Sequence, residues 1–145
     1  MSEDMVSRAK ALAHRAHAGQ VDKAGRPYIE HVARVAAAVS DDPEAEAVAW
    51  LHDVIEDCDE HYIHEIFMEF PDYIYSAVYT LTRDPIVADE DYYYSIRWDL
   101  LTKRVKLADI ADNADEERLA LLDPKTANRL RRKYAKALAA LTGGQ

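Results

Sequence analysis

The stretch AWLHDVIEDC, residues 49–58, sets a histidine and an aspartate side by side within an apolar run. Ala47, Val48 and Leu51 precede or flank the pair and Val54 and Ile55 follow it. That spacing predicts one helix from Glu44 to Asp57 with these apolar residues facing inward. An unpaired carboxylate costs several kcal/mol to bury, so His52-Asp53 needs a compensating partner. A divalent cation is one, because imidazole nitrogen and carboxylate oxygen together suit it. The polar edge of a half-exposed helix is the other reading of the pair. Glu56 lies four residues after His52, and Asp57 lies four after Asp53, so each sits one helical turn further on. Like charges crowded on one patch repel unless a cation neutralises them.

Two more isolated polar groups stand in similar surroundings. His31 lies in YIEHVARVAAAV, residues 28–39, and Asp109 in VKLADIADN, residues 105–113. Each sits on an expected helix, so ligands from three separate helices could meet at one ion. The remaining pattern is helical throughout. A first helix spans 4–18 and ends at Gly19; a second opens at Pro27 and runs to Val39 with Ile29, Val32, Val35 and Ala36 inward. Further helices are expected at 61–69, 72–82, 91–101 and 102–113, with a loop at 83–90. A last helix opens at Pro124, with Leu130, Tyr134, Ala137, Leu138 and Leu141 on one face, before a frayed tail of Thr142, Gly143, Gly144 and Gln145.

Composition agrees with an all-α fold. The 145 residues include only 4 glycines and 5 prolines, so turn signals are scarce. The length fits a single domain, 1–145, with no repeat and no linker. A formal net charge of −9 argues against a nucleic-acid partner. The basic run Arg129, Arg131, Arg132, Lys133 and Lys136 reads as a solvated helix face. One cysteine, Cys58, excludes a disulfide within the chain and suits a reducing cytoplasm. The opening residues carry no apolar signal core, and no run is apolar enough to span a bilayer, so no membrane association is expected.

The three blocks HAGQVDKAGRPYIEH (17–31), LHDVIEDC (51–58) and VKLADIADN (105–113), in this order, resemble the hydrolase domain of the Rel/Spo alarmone enzymes and their small relatives within the HD superfamily of metal-dependent phosphohydrolases. The resemblance runs from about His14 to Asn113. It implies an all-α HD-domain bundle. It implies that His31, His52, Asp53 and Asp109 ligate a metal, usually manganese in this family, and that Glu56 and Asp57 serve catalysis. Family members remove the 3′-pyrophosphate of guanosine tetra- or pentaphosphate, and one branch acts on the phosphate of a nicotinamide dinucleotide. Lys23 and Arg26 stand in the loop before the His31 helix, where they would meet substrate phosphates or simply be solvated. Asn113, one turn after Asp109, would contact ribose or base, or cap its helix. Two positions depart from the family pattern: Val32 stands where proline often follows the first histidine, and Ala114-Asp115-Glu116-Glu117 replaces an Asn-Leu-Arg-Asp-type run.

Three functions therefore stand side by side: an alarmone hydrolase acting on a small nucleotide, an HD-type phosphatase for a nucleoside monophosphate or NADPH, and a nucleotide-binding module without turnover. The last has no need for a full ligand set together with the Glu-Asp pair. A homo-oligomer is compatible with all three. His14 and His17 are one turn apart but lack a carboxylate partner, so they read as surface or supporting residues, as do His61 and His64. Tyr92, Tyr93 and Tyr94 cannot share one helix face, although one of them could stack on a base. Trp50 and Trp98 read as core, and Cys58 as structural.

Overall fold

In the computed structural model, which describes residues 2–143, Asp42 opens the helix that leads into the central motif. Its side chain accepts from the backbone N–H of Glu44, and Pro43 occupies the first turn, where its missing N–H costs nothing. This helix is one of ten among the described residues: α1 (Ser2–Ala16), α2 (Tyr28–Ala38), α3 (Pro43–Leu51), α4 (Val54–Asp57), α5 (Glu60–Glu69), α6 (Asp72–Leu81), α7 (Asp89–Arg97), α8 (Leu100–Asn113), α9 (Glu116–Leu119) and α10 (Pro124–Thr142). The only extended pairing described is one bridge between Val21 and Pro27, which closes the loop before α2. The all-α expectation is met.

The core forms where α1 lies along α3 and where α2, α3 and α8 pack on one another. Leu12 of α1, Val32 and Val35 of α2, Leu51 of α3 and Val105 of α8 are buried there. Each such side chain contributes roughly 1.5–3 kcal/mol relative to exposure. The polar groups carried by α2, α3 and α8 are thereby forced to meet inside the bundle. Helices α6, α7 and α10 close the bundle against α8 and against each other.

Several sequence expectations need correction. The helix from Glu44 does not run through to Asp57. It stops at Leu51, and the backbone leaves helical geometry at Asp53, with φ −105° and ψ 0°, before the single turn of α4. The helix expected from residue 91 begins at Asp89, so the loop expected to reach residue 90 ends earlier. The helix expected from 102 begins at Leu100, behind Asp99, whose carboxylate accepts from the backbone N–H of Leu101. The short α9 falls in a segment whose apolar residues are too few to reveal it. Trp98 is 66% exposed and Leu138 45% exposed, so neither belongs to the core. Trp50 is buried, as expected. Thr142 is still helical, and Gly143 ends α10 with φ 94°, the left-handed cap that glycine adopts without a Cβ clash. The rest of the expected tail, Gly144 and Gln145, lies outside the described residues.

Candidate metal centre and adjoining cavity

The break at Asp53 is what lets neighbouring residues serve one site. Successive side chains on an unbroken helix point about 100° apart. With α3 ended at Leu51, His52 Nε2 and Asp53 Oδ2 lie 3.0 Å from each other. His31 comes from α2 and Asp109 from α8. His31 Nε2 is 2.9 Å from Asp109 Oδ1, and His52 Nε2 is 3.4 Å from the same oxygen. One ligand atom from each of His31, His52, Asp53 and Asp109 lies within 4.8 Å of all the others.

Hydrogen bonds set which imidazole nitrogens face this cluster. His52 donates its Nδ1 proton to the carbonyl of Ala49 at 2.6 Å. Its Nε2 is buried and, although Asp53 Oδ2 and Asp109 Oδ1 stand 3.0 Å and 3.4 Å away, makes no well-aligned hydrogen bond among the described residues. His31 points Nδ1 at Asp112 Oδ2, 2.6 Å away, which directs Nε2 inward. The carboxylates are oriented as well. Asp53 Oδ2 accepts from the Tyr28 hydroxyl at 2.5 Å, and Asp109 accepts from Lys106 Nζ at 3.0 Å and Asn113 Nδ2 at 3.1 Å. Two inward imidazole nitrogens, one of them orphaned, the buried Asp109 carboxylate and the half-buried Asp53 carboxylate form a donor set that fits a divalent cation such as manganese, iron or zinc.

The same crowding governs the titration of the site's own side chains. Burial alone would lower both histidines, but the bonds of His31 to Asp109 and Asp112, and the charges of Asp53 and Asp109 around His52, raise them above the ordinary range. Burial would raise Asp109, yet Lys106 and the two histidines hold it well below the usual carboxylate range. Burial would lower Lys106, but the neighbouring Asp109 and Tyr92 outweigh it and the net shift is upward.

Glu56 and Asp57 stand beside the cluster. One oxygen from each of Asp53, Glu56 and Asp57 lies within 4.8 Å of the other two. Glu56 Oε1 accepts from the backbone N–H of Arg83 at 2.5 Å. Burial raises Glu56, while burial and the neighbouring Asp53 and Glu56 carboxylates push Asp57 up to about 6. Both are therefore poised closer to neutrality than free carboxylates.

A cavity of about 930 Å³ adjoins the centre. Tyr28, Asp112 and Asn113 line it, and each hydrogen-bonds a member of the cluster, so cavity and cluster share a wall. Lys23 and Arg26 line its mouth, and Leu119, Leu122 and Tyr134 supply an apolar side. Asn113 is the last residue of α8, but the cap position belongs to Ala114, and its side chain turns back to Asp109.

Other residues take different places. His17 is buried against Gln20 at 2.8 Å and the Tyr28 ring, whereas His14 is exposed and bonded to the Lys10 carbonyl. Tyr92 is buried with its hydroxyl on the Leu81 carbonyl, and Tyr94 is 64% exposed; none of Tyr92, Tyr93 and Tyr94 lines the large cavity. Burial pushes the Cys58 thiol up to about 11, which keeps it a poor nucleophile. Sequence reasoning missed Tyr28, Asp112, Lys106 and Arg118. A lysine three residues before Asp109 on the same helix was a usable signal for Lys106; Tyr28 and Arg118 reach the site only through the fold.

No family model matches the sequence. A 51-residue segment is 51% identical to the guanosine-3′,5′-bis(diphosphate) 3′-pyrophosphohydrolase of Vibrio cholerae serotype O1; it covers 33% of this chain and 7% of that protein, so the chain spans a small fraction of this relative's length. Among solved structures, one described as a metazoan ortholog of SpoT that hydrolyzes ppGpp and plays a role in starvation responses superposes with a TM-score of 0.78 at 22% identity, covering 97% of this chain and 87% of that one. The chain thus shares the all-helical fold of this solved structure.

Proposed function

We propose that this chain is a manganese-dependent hydrolase that releases pyrophosphate from the 3′ position of guanosine 3′,5′-bis(diphosphate). The observation that carries the reading is the joint placement of the four-residue donor set, the Glu56-Asp57 pair beside it and a cation-lined cavity sharing its wall. The likeness to a ppGpp-hydrolysing structure and to a 3′-pyrophosphohydrolase segment supports the substrate class.

His31, His52, Asp53 and Asp109 would hold the cation. The chemistry supplied by a cation held there is polarisation of a phosphoryl oxygen and acidification of water. Glu56, with Asp57 beside it, accepts the proton of the attacking water, a task suited to carboxylates raised toward neutrality. The water oxygen bonds the phosphorus next to the ribose 3′-oxygen, that P–O bond breaks, and the 3′-oxygen is protonated. Lys23 and Arg26 bind phosphate oxygens from the loop at the cavity mouth, and Asn113 faces the nucleoside while steadying Asp109. Phosphoryl transfer of this kind depends mainly on such positioning and charge stabilisation.

One feature favours a second reading, a phosphatase for a less charged nucleotide such as a nucleoside monophosphate or NADPH. Arg34 and Arg118, which also line the cavity, are already paired with Asp112, leaving Lys23 and Arg26 as the cavity cations with no described ion pair. The test offers the tetraphosphate, nucleoside 5′-monophosphates and NADPH at equal concentration with manganese. Pyrophosphate release from the tetraphosphate is expected. An inert tetraphosphate beside orthophosphate release from either competitor would replace the first reading with the second. The working compartment proposed for such an enzyme is the cytoplasm; no described helix is long and apolar enough to cross a membrane.

A further inference from the structure

The carboxylate of Asp112 is the meeting point of three donor side chains. Its Oδ2 lies 2.6 Å from His31 Nδ1 and 2.5 Å from Arg118 Nη1, and its Oδ1 lies 2.7 Å from Arg34 Nε. Arg118 does not end there. Its other terminal nitrogen, Nη2, is 3.5 Å from Asp22 Oδ2. Asp22 organises the loop before α2: its Oδ1 accepts from the backbone N–H of Ala24 at 2.9 Å and of Arg26 at 3.0 Å, and its own N–H donates to the Arg26 carbonyl at 2.8 Å. Lys23 and Arg26 are carried on that turn.

A guanidinium presents several donors in a rigid planar fork, so a single arginine can hold two carboxylates at a set separation, which a lysine ammonium cannot do in the same geometry. Arg118, Asp112 and Asp22 are all largely shielded from water, with side-chain exposures of 23%, 13% and 11%, so their pairing is screened less than a surface ion pair. Arg118 is contributed by α9, directly after the run Ala114-Asp115-Glu116-Glu117 in which the chain departs from the alarmone pattern.

We infer that Arg118 is a positioning residue that couples the two halves of the site: through Asp112 it holds His31 with Nε2 toward the donor cluster, and through Asp22 it holds the turn carrying Lys23 and Arg26 at a fixed distance from that cluster. The coupling rests on the proposed reading only in calling the cluster a cation site and the turn a phosphate-binding element. Partners of this kind, one step removed from the ligands, commonly change metal affinity by roughly 10–100-fold when lost.

The test uses manganese alone and trypsin alone, so neither readout needs a substrate. Manganese affinity is measured by calorimetry on the purified chain, and turn stability by the rate of tryptic cleavage after Lys23 in the folded protein. Arg118→Met should weaken manganese binding by roughly tenfold and speed cleavage after Lys23. Asp112→Asn should weaken manganese binding with cleavage unchanged. Asp22→Asn, which keeps an oxygen for the turn but loses the ion pair, should speed cleavage with manganese affinity unchanged. A folded Arg118→Met variant with wild-type values in both assays overturns the inference, as does one in which only KM for a nucleotide rises, since that marks a direct substrate contact. If Arg118→Met does not fold, Asp22→Asn decides: wild-type cleavage overturns the coupling. A protein that fails the nucleotide panel but shows this split of effects loses the substrate reading and keeps the coupling.

Discussion

Tyr28, at the start of α2, donates its hydroxyl to Asp53 Oδ2 at 2.5 Å across the junction between α2 and the break after α3. The same oxygen is the one that faces His52 Nε2. A phenol on the first turn of one helix therefore orients a carboxylate released from the end of another.

Removing that hydroxyl should disturb the centre without disturbing the core, because the Tyr28 ring stays packed against His17 and His31. Tyr28→Phe is expected to lower manganese affinity by roughly tenfold and to cost about 1 kcal/mol of stability, the ordinary net value of one hydrogen bond. Calorimetry and denaturant melts check both. Unchanged affinity would show that Asp53 holds its orientation without Tyr28.

Asp53→Ala removes one of four donors and should abolish stoichiometric metal. The purified chain should carry about one divalent ion, since ligands preformed in the fold bind the ion together with it. Elemental analysis after dialysis against manganese is the measurement, and full occupancy in the variant would take Asp53 out of the site.

Glu56→Gln separates proton transfer from metal binding. Glu56 accepts from the Arg83 backbone N–H and stands beside Asp53, outside the four-residue donor set. The variant should keep the ion and lose turnover by roughly 100-fold or more, the scale of a lost general base. Loss of ion and activity together would make Glu56 a ligand instead.

The titration of the centre's own histidines gives a signed pH dependence. His31 and His52 are raised in the folded chain, so the stability they contribute is present below the ordinary histidine value of about 6.5 and is lost as pH rises through their raised values. A bound cation must displace those protons, so its affinity should grow with pH over the same window and binding should release protons. Thermal melts from pH 6 to 9 should therefore fall with pH in chelator and fall less with saturating manganese. Parallel curves in the two conditions would contradict the assignment of these histidines to the cation site.

The helical fold was legible because apolar spacing and proline at helix starts are local features: α2, α3 and α10 each begin where a proline or its neighbour says they should. His31, His52, Asp53 and Asp109 were legible for a different reason. A polar residue in an apolar helix stands out in any sequence, and three such interruptions in order carried the resemblance. The break at Asp53 was not legible, because Val54 and Ile55 continue the apolar pattern while the backbone turns away to bring His52 and Asp53 to one point. Trp98 misled because size and apolarity state a preference for burial, and the geometry after α7 leaves its ring outside.

By itself the sequence determined the helix-forming segments, the apolar faces that must be buried and the four polar groups that burial would force together, since all of these follow from the order of side chains along the chain. Only the tertiary structure decided which atoms meet: the imidazole nitrogens that face inward, the Tyr28 hydroxyl on Asp53, and the Arg118 fork between Asp112 and Asp22, 96 positions from Arg118 along the chain. Hydrogen bonds and ion pairs act over a few ångströms, so contacts between residues this far apart in sequence exist only once packing of α2, α3 and α8 has set the distances.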